Sequence, residues 1–467
     1  MFQQLVAVSC LSIATGIASA QPALEDHQLR ELVAEQIEPL IDSQMIPGCA
    51  VGIWRDGETH FFGLGGTNAD GSGAAPNEHT LYEIGSITKV FTALLLAEMA
   101  QAGEVAFETP VADLFPDGRT VPRFGREPIR LWHLATHSSG LPGMPSNMVP
   151  ADAGDPFEGY TTELMYDFLD AVQPFRTPGQ GYEYSNLATG LLGRLLEARA
   201  GAPWHELLDT RIFGPVGMTE SMVMVDAEIE RRLAHPSAEG LTASRWGGMD
   251  ALAPCGAIVS SAADLMKFAI WNIEPGQPGS RLARALEAAH EPRFTDPETG
   301  QVVALGWHLA GDGVTLWHNG MTGGYSAMLL INKPERTAVV LLANGATFAT
   351  TAAGNAIMHA LLTGNSEPPP SEPAREIAAD HLERLVGDYT SPLGFTIHVT
   401  REGGRLGARL TGQTRLRVFP EGDGDAPSRF RYRVVPAVLA FELPQEGKAT
   451  AVTLEQGGRE MRAERSE

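Results

Sequence analysis

Ser86 and Lys89 stand three residues apart at the head of an apolar run, Val90-Phe91-Thr92-Ala93-Leu94-Leu95-Leu96-Ala97-Glu98-Met99, which contains neither Pro nor Gly. Strong helix formers without a breaker predict a buried helix there, with Ser86 at its first turn. A spacing of three on a helix puts both side chains on one face, so hydroxyl and amine fall within hydrogen-bond reach. A hydroxyl becomes a useful nucleophile only when something takes its proton. A lysine forced into an apolar helix face suits that task, because desolvation disfavours its charged form and lowers its pKa. The helix N-terminus adds free N–H groups and positive potential, which favour an oxyanion developing beside the serine. The chemistry would be acyl transfer. With only four lysines in the chain, Lys89, Lys267, Lys333 and Lys448, a serine three positions before one of them is an ordinary coincidence. Its weight depends on partners downstream in a sensible order.

Two further stretches could supply them. Thr177-Pro178-Gly179-Gln180-Gly181-Tyr182-Glu183-Tyr184-Ser185-Asn186-Leu187 leaves a loop and enters a helix. If the chain is extended there, Tyr184 and Asn186 face the same space, one a phenol able to shuttle a proton, the other an amide able to orient a carbonyl. Tyr182 is equally available but lacks the partner amide. Leu316-Trp317-His318-Asn319-Gly320-Met321-Thr322-Gly323-Gly324-Tyr325-Ser326 begins on a strand and is rich in glycine. Glycines on a strand mark a bulge or a close approach of ligand or backbone, which makes this a substrate-lining strand.

The elements that must position these residues can be read along the chain. Residues 23–45 read as an amphipathic helix, followed by a hairpin from Ala50 to Gly63 turning at Arg55-Asp56-Gly57-Glu58. Then comes the Ser86 helix. From Phe107 to about Phe213 helical pieces alternate with Gly and Pro loops, and strands return at Val302–His308, Val314–His318, Tyr325–Ile331 and Thr337–Leu342 before a helix from Thr351 to Leu362. That order predicts an α/β sandwich whose antiparallel sheet is assembled from both ends of the segment, with a separate helical lobe. After a linker at 364–375 containing Pro368-Pro369-Pro370, short runs between Phe395 and Ala463 predict an antiparallel meander closing as a small barrel over 376–467. This last unit is expected to affect the chemistry only modestly, through substrate access or assembly.

The chain of 467 residues carries a formal net charge of −23, and from Glu376 onward 14 acidic residues nearly balance 13 basic ones. The excess negative charge therefore belongs to the larger unit and argues against nucleic acid or an anionic membrane as partner. Residues 1–20 read as a signal peptide, an apolar stretch from Leu5 to Ile17 followed by Ala18-Ser19-Ala20, which implies export to the periplasm or medium without an integral membrane anchor. Cys49 and Cys255, each among small apolar neighbours, read as buried free thiols rather than metal ligands.

In this order and spacing, Ser86-Ile87-Thr88-Lys89, Tyr184-Ser185-Asn186 and His318-Asn319-Gly320 resemble the three motifs of the class C serine β-lactamase and penicillin-binding family, which includes D-alanyl peptidases and esterases. Leu134-Ala135-Thr136-His137-Ser138-Ser139-Gly140-Leu141-Pro142, Phe213-Gly214-Pro215-Val216-Gly217-Met218 and Gly306-Trp307 match connecting stretches. The resemblance covers about residues 28–362, taking 21–363 as the catalytic unit, and the tail resembles the lipocalin-like extensions of some relatives. It implies that Ser86 attacks a carbonyl while Lys89 and Tyr184 manage the protons. The N–H groups of Ser86 and Met321, the latter following Gly320, would hold the oxyanion. Asn186 would orient the acyl amide, His318 would line the pocket and assist Tyr184, and no metal or organic cofactor would be needed. The substrate would be a small molecule or peptide: a β-lactam, a D-amino-acid peptide or a short ester. A penicillin-binding protein that acylates without turnover would use the same residues. Where the best-known β-lactamases carry lysine, His318 stands, mostly neutral at pH 7 when unperturbed. No Gly-x-Ser-x-Gly or His-Glu-x-x-His motif occurs, which disfavours an α/β-hydrolase or a zinc peptidase.

Overall fold

A computed structural model describes residues 24–466 apart from Asp56, 151–153, 370–373, Glu376, 412–414, Asp423 and Val434. The signal peptide read over residues 1–20 lies outside the described residues. The principal helices are α1 (Asp26–Asp42), α2 (Thr88–Gln101), α3 (Asn186–Ala200), α4 (Ala262–Ile273) and α5 (Ala349–Thr363). Strands β1 (Gly48–Arg55), β2 (Glu58–Gly65), β3 (Phe294–Thr295), β4 (Val302–Val303), β5 (His308–Leu309), β6 (Thr315–Met321), β7 (Ser326–Asn332) and β8 (Thr337–Ala343) form one antiparallel sheet in the order β2-β1-β8-β7-β6-β5-β4-β3. The two ends of the catalytic segment meet at β1 and β8, with Cys49 opposite Ala343.

Strands β7 and β8 are buried along their whole length because both sheet faces are covered. Their side chains alternate between two cores, as a period of two requires. Met328, Leu330, Val339 and Leu341 pack with Leu29, Val33 and Ile37 of α1 and Ile357 and Leu361 of α5. Leu329, Ile331, Val340 and Leu342 face Leu94 of α2, Phe268 of α4 and the helical lobe. Helix α2 is buried from Thr88 to Met99, so its apolar run needs no polar face. Cys49 and Cys255 are buried and free, and burial pushes the Cys49 thiol up to about 12.

One expected strand divides. Val302–His308 is interrupted by a tight turn in which the Ala304 N–H donates to the Trp307 carbonyl at 2.9 Å, with Gly306 at φ +72°. A Cβ on Gly306 would lie 2.9 Å from the Lys89 carbonyl oxygen and 2.8 Å from Ala93 Cβ, so only glycine lets this turn sit against α2.

The tail is a closed barrel of eight strands in sequential order: β9 (Gly387–Thr390), β10 (Thr396–Glu402), β11 (Arg405–Leu410), β12 (Leu416–Pro420), β13 (Arg429–Arg431), β14 (Ala437–Glu442), β15 (Ala451–Gln456) and β16 (Arg459–Arg465). This is the up-and-down architecture that lipocalins also use. The sequence reading missed β9, a four-residue strand whose Gly387-Asp388 start has the character of a turn. It is nevertheless required. An up-and-down barrel closes antiparallel only with an even number of strands, and Tyr389 of β9 pairs with Arg465 of β16.

Candidate active site

The nucleophile turn forms first. Gly85–Ile87 is a single 3₁₀ turn leading into α2, and Gly85 adopts φ +50°. That geometry leaves Ser86 partly open while Lys89, one turn on, is 1 % exposed. Lys89 Nζ lies 2.9 Å from Ser86 Oγ and donates to the Cys255 carbonyl at 2.8 Å. It also sits 4.9 Å from the ring centroid of Tyr184. Residues nearly a hundred positions apart thus meet at one amine.

Ser185 is extended at φ −131° and ψ 111° and caps α3, its hydroxyl accepting from the Ala188 N–H. An extended residue between them places Tyr184 and Asn186 on the same side of the chain, as the spacing predicts. The Asn186 N–H donates to the Gly143 carbonyl at 2.9 Å, and its side-chain amide contacts Met144 Sδ at 3.2 Å.

Strand β6 brings the third stretch directly onto the nucleophile turn. A Cβ on Gly320 would lie 1.9 Å from the Ile84 carbonyl oxygen and 3.0 Å from the Ser86 nitrogen. A Cβ on Gly85 would lie 2.7 Å from the Met321 nitrogen. Backbone therefore packs on backbone, and the amides of Ser86 and Met321 are brought to one place beside the serine. His318, 1 % exposed, has its Nδ1 2.6 Å from the Asn319 carbonyl oxygen, so Nδ1 carries the proton and Nε2 is a bare acceptor. Its ring centroid is 6.4 Å from that of Tyr184. Burial, reinforced by His308 and Lys89, holds the His318 imidazole well below the ordinary histidine range. The residue is neutral at pH 7.

Sequence reasoning assigned no role to several neighbours. His137, at φ +58°, packs its ring against that of Tyr184 at 4.5 Å, tilted by 36°, and its Nδ1 accepts from the Ser185 N–H at 3.1 Å. His308 lies 5.1 Å from His318 and stacks on Trp317 at 4.5 Å. Tyr182, set aside above, packs against both His137 and His308. His137 falls in a stretch that matched the family and His308 directly follows Gly306-Trp307, but nothing in their spacing pointed to His318. Among the described residues no group of three or more His, Cys, Asp or Glu is disposed to hold a metal ion.

Glu83, three residues before the nucleophile, is also buried. Its carboxylate accepts from the Trp246 N–H at 3.2 Å and lies 3.7 Å from Arg245. Burial pushes this carboxyl up to about 7, opposed by Trp246 and Arg245 among others. Below the ordinary glutamate value both folded and unfolded chains hold the proton. As pH rises towards about 7 only the unfolded chain has released it, so the stability Glu83 contributes at low pH is lost across that window. Glu83→Gln is therefore expected to raise the melting temperature at pH 8 and leave it nearly unchanged at pH 4.5; thermal melts at the two values check this.

The comparisons with known proteins follow the same lines. The family model described as "Beta-lactamase" matches residues 33–363, and the one described as "Domain of unknown function (DUF3471)" matches residues 371–465. The chain is 27 % identical to "Penicillin-binding protein 4" of Amycolatopsis lactamdurans over 67 % of this chain and 84 % of that protein. The D-alanine carboxypeptidase AmpC structure from Burkholderia cenocepacia superposes with a TM-score of 0.61 at 26 % identity, over 72 % of this chain and all of that one. The octameric penicillin-binding protein homologue from Pyrococcus abyssi, 22 % identical with a TM-score of 0.62, covers 94 % of this chain and all of its own, a likeness of fold that extends into the barrel. A match over most of the chain, on a fold that assembles Ser86, Lys89, Tyr184 and His318 around one point, places this protein in the β-lactamase family as a serine hydrolase.

Proposed function

We propose that this protein is an exported serine acyl hydrolase that cleaves β-lactam or D-alanyl-type amide bonds through an ester on Ser86. The observation that carries the reading is the 2.9 Å approach of Lys89 Nζ to Ser86 Oγ beneath the joined backbones of Gly85 and Gly320. Lys89, held by the Cys255 carbonyl and 2.9 Å from the Ser86 hydroxyl, takes the serine proton as Oγ attacks the carbonyl carbon. The N–H groups of Ser86 and Met321 receive the oxyanion. Tyr184, its ring 4.9 Å from Lys89 Nζ and 6.4 Å from that of His318, relays that proton to the leaving amine. Asn186 orients the acyl amide. Water then attacks the ester, the proton flow reverses, and the acid leaves. The relative named as a penicillin-binding protein and the one named as a D-alanine carboxypeptidase support the substrate class.

The apolar leader with Ala18-Ser19-Ala20 supports export, and no described helix is long and apolar enough to cross a membrane. The separate reach of the two family models supports a catalytic unit at 21–363, a linker at 364–375 and a barrel unit at 376–467.

A second reading, hydrolysis of short acyl esters, is favoured by His318: a neutral imidazole offers a substrate carboxylate no fixed charge. Mass spectrometry after benzylpenicillin addition, beside kinetics on a cephalosporin, a D-Ala-D-Ala peptide and p-nitrophenyl butyrate, tests both. A transient increment on the Ser86 peptide with product release is expected. An increment that never decays would make the protein a penicillin binder without turnover, and preference for the butyrate alone would select the ester reading.

A further inference from the structure

The barrel does not hang free of the catalytic unit. Four of its arginines donate to main-chain carbonyls there: Arg417 to Glu239 at 2.8 Å, Arg405 to Gly240 at 2.6 Å and Asp70 at 3.1 Å, Arg415 to Thr242 at 2.8 Å, and Arg433 to Ser43 at 2.8 Å. Glu402 completes the grip by accepting from the Thr242 N–H at 2.8 Å. Three of these arginines hold one small hairpin, Ser237–Ala238 paired with Leu241–Thr242. Its turn residues Glu239 and Gly240 have φ +51° and +77°, a type I′ pattern unusual for a glutamate. Arg417, 4 % exposed and stacked 4.4 Å over Phe419, donates to that strained residue's own carbonyl and to Gln44 Oε1.

The other end of the hairpin reaches the active site. The Ser237 N–H donates to the Gly324 carbonyl at 3.1 Å, and a Cβ on Gly324 would lie 2.2 Å from Pro236. A Cβ on Gly323 would lie 2.6 Å from both the Ser244 carbonyl oxygen and the Trp246 indole nitrogen. Gly323 and Gly324 form the turn that directly follows Met321 and Thr322. A continuous path of packed backbone therefore runs from the barrel arginines through the hairpin to the strand end carrying the Met321 amide.

We propose that the barrel is a positioning element for the oxyanion site, with Arg405, Arg415 and Arg417 setting the Met321 amide through the hairpin 237–242. The proposal rests on the Ser86 acyl-enzyme reading. Because these arginines grip main-chain atoms, they fix where the backbone lies rather than which side chains it carries. A shift of a fraction of an ångström at an oxyanion donor lowers transition-state binding more than substrate binding.

The test uses the full chain bearing Arg417→Met, with Arg429→Met as control. Arg429 pairs with Glu421 and Glu455 within the barrel and touches neither hairpin nor site. Active sites are counted by burst titration, and p-nitrophenyl butyrate reports turnover. Phenylboronic acid reports the oxyanion site: its boron takes the Ser86 oxygen, the proton passes to Lys89, and the tetrahedral adduct carries negative charge. Per active site, Arg417→Met is expected to lower kcat about tenfold with KM within about twofold, and to weaken phenylboronic acid by a matching factor. Arg429→Met should match wild type. A purely structural role would reduce the number of titratable sites and leave the per-site constants unchanged, and that result overturns the proposal. Should Arg417→Met fail to fold, Arg415→Met, on the more exposed partner of Thr242, decides by the same criteria. Ser86→Ala separates the two levels. If it is inactive while the arginine variants match wild type, positioning fails alone, and if it retains turnover, the acyl-enzyme reading and this proposal fall together.

Discussion

Ser86→Ala is expected to lower kcat/KM for every hydrolysed substrate by about 10⁴-fold or more, the scale on which removal of a serine nucleophile is felt. The loss should appear with little change in melting temperature, since Ser86 is only partly buried and its hydroxyl is bonded to Lys89 rather than to the core. Lys89→Met should cost a comparable factor, and the double variant little more than either single one. Groups that act in one proton transfer are not additive. Steady-state kinetics on p-nitrophenyl butyrate and nitrocefin measure this directly. A Ser86→Ala protein that still turned over would remove the nucleophile from the mechanism, whatever the fold.

The second large effect belongs to a residue with no functional group. Gly320→Ala would place a methyl 1.9 Å from the Ile84 carbonyl oxygen, a contact that cannot form, so β6 and the nucleophile turn must separate. Both proposed oxyanion donors lie at that junction. We expect kcat to fall by about 10²-fold or more, as when an oxyanion donor is lost. A measurable drop in melting temperature should accompany it, because the backbone contact also joins sheet to helix. Gly424→Ala, with open space around its Cβ position, should leave both quantities unchanged. Equal activity of Gly320→Ala and wild type would mean that the strand can move without consequence, and the oxyanion assignment would be withdrawn.

These two residues differ in how far sequence alone could reveal them. Ser86 and Lys89 are legible because helix geometry is local: three positions on an unbroken apolar run determine which face both side chains share. The same holds for Tyr184 and Asn186, two positions apart across an extended Ser185. Glycine at 320 announced a close approach, but the partner it approaches, the Ile84 and Ser86 backbone, is more than two hundred residues earlier. His137 and His308 carried no periodic signal, since each reaches Tyr184 or His318 only after the loop 137–144 has packed along 175–186 and β5 has paired with β6. Strand β9 illustrates a similar limit. Its four residues form a strand because the barrel must close on β16.

From composition, periodicity and motif order came the sandwich, the small barrel and the candidate hydroxyl, amine and phenol, because each signal depends on neighbours within a turn of helix or a pair of strands. Tertiary structure alone decided that burial holds the His318 imidazole well below its ordinary range and that Gly85 and Gly320 join the backbones at Ser86 and Met321. It also decided that the barrel grips the hairpin beside them. Burial and backbone contact between distant segments are properties of the packed chain. No local pattern encodes them.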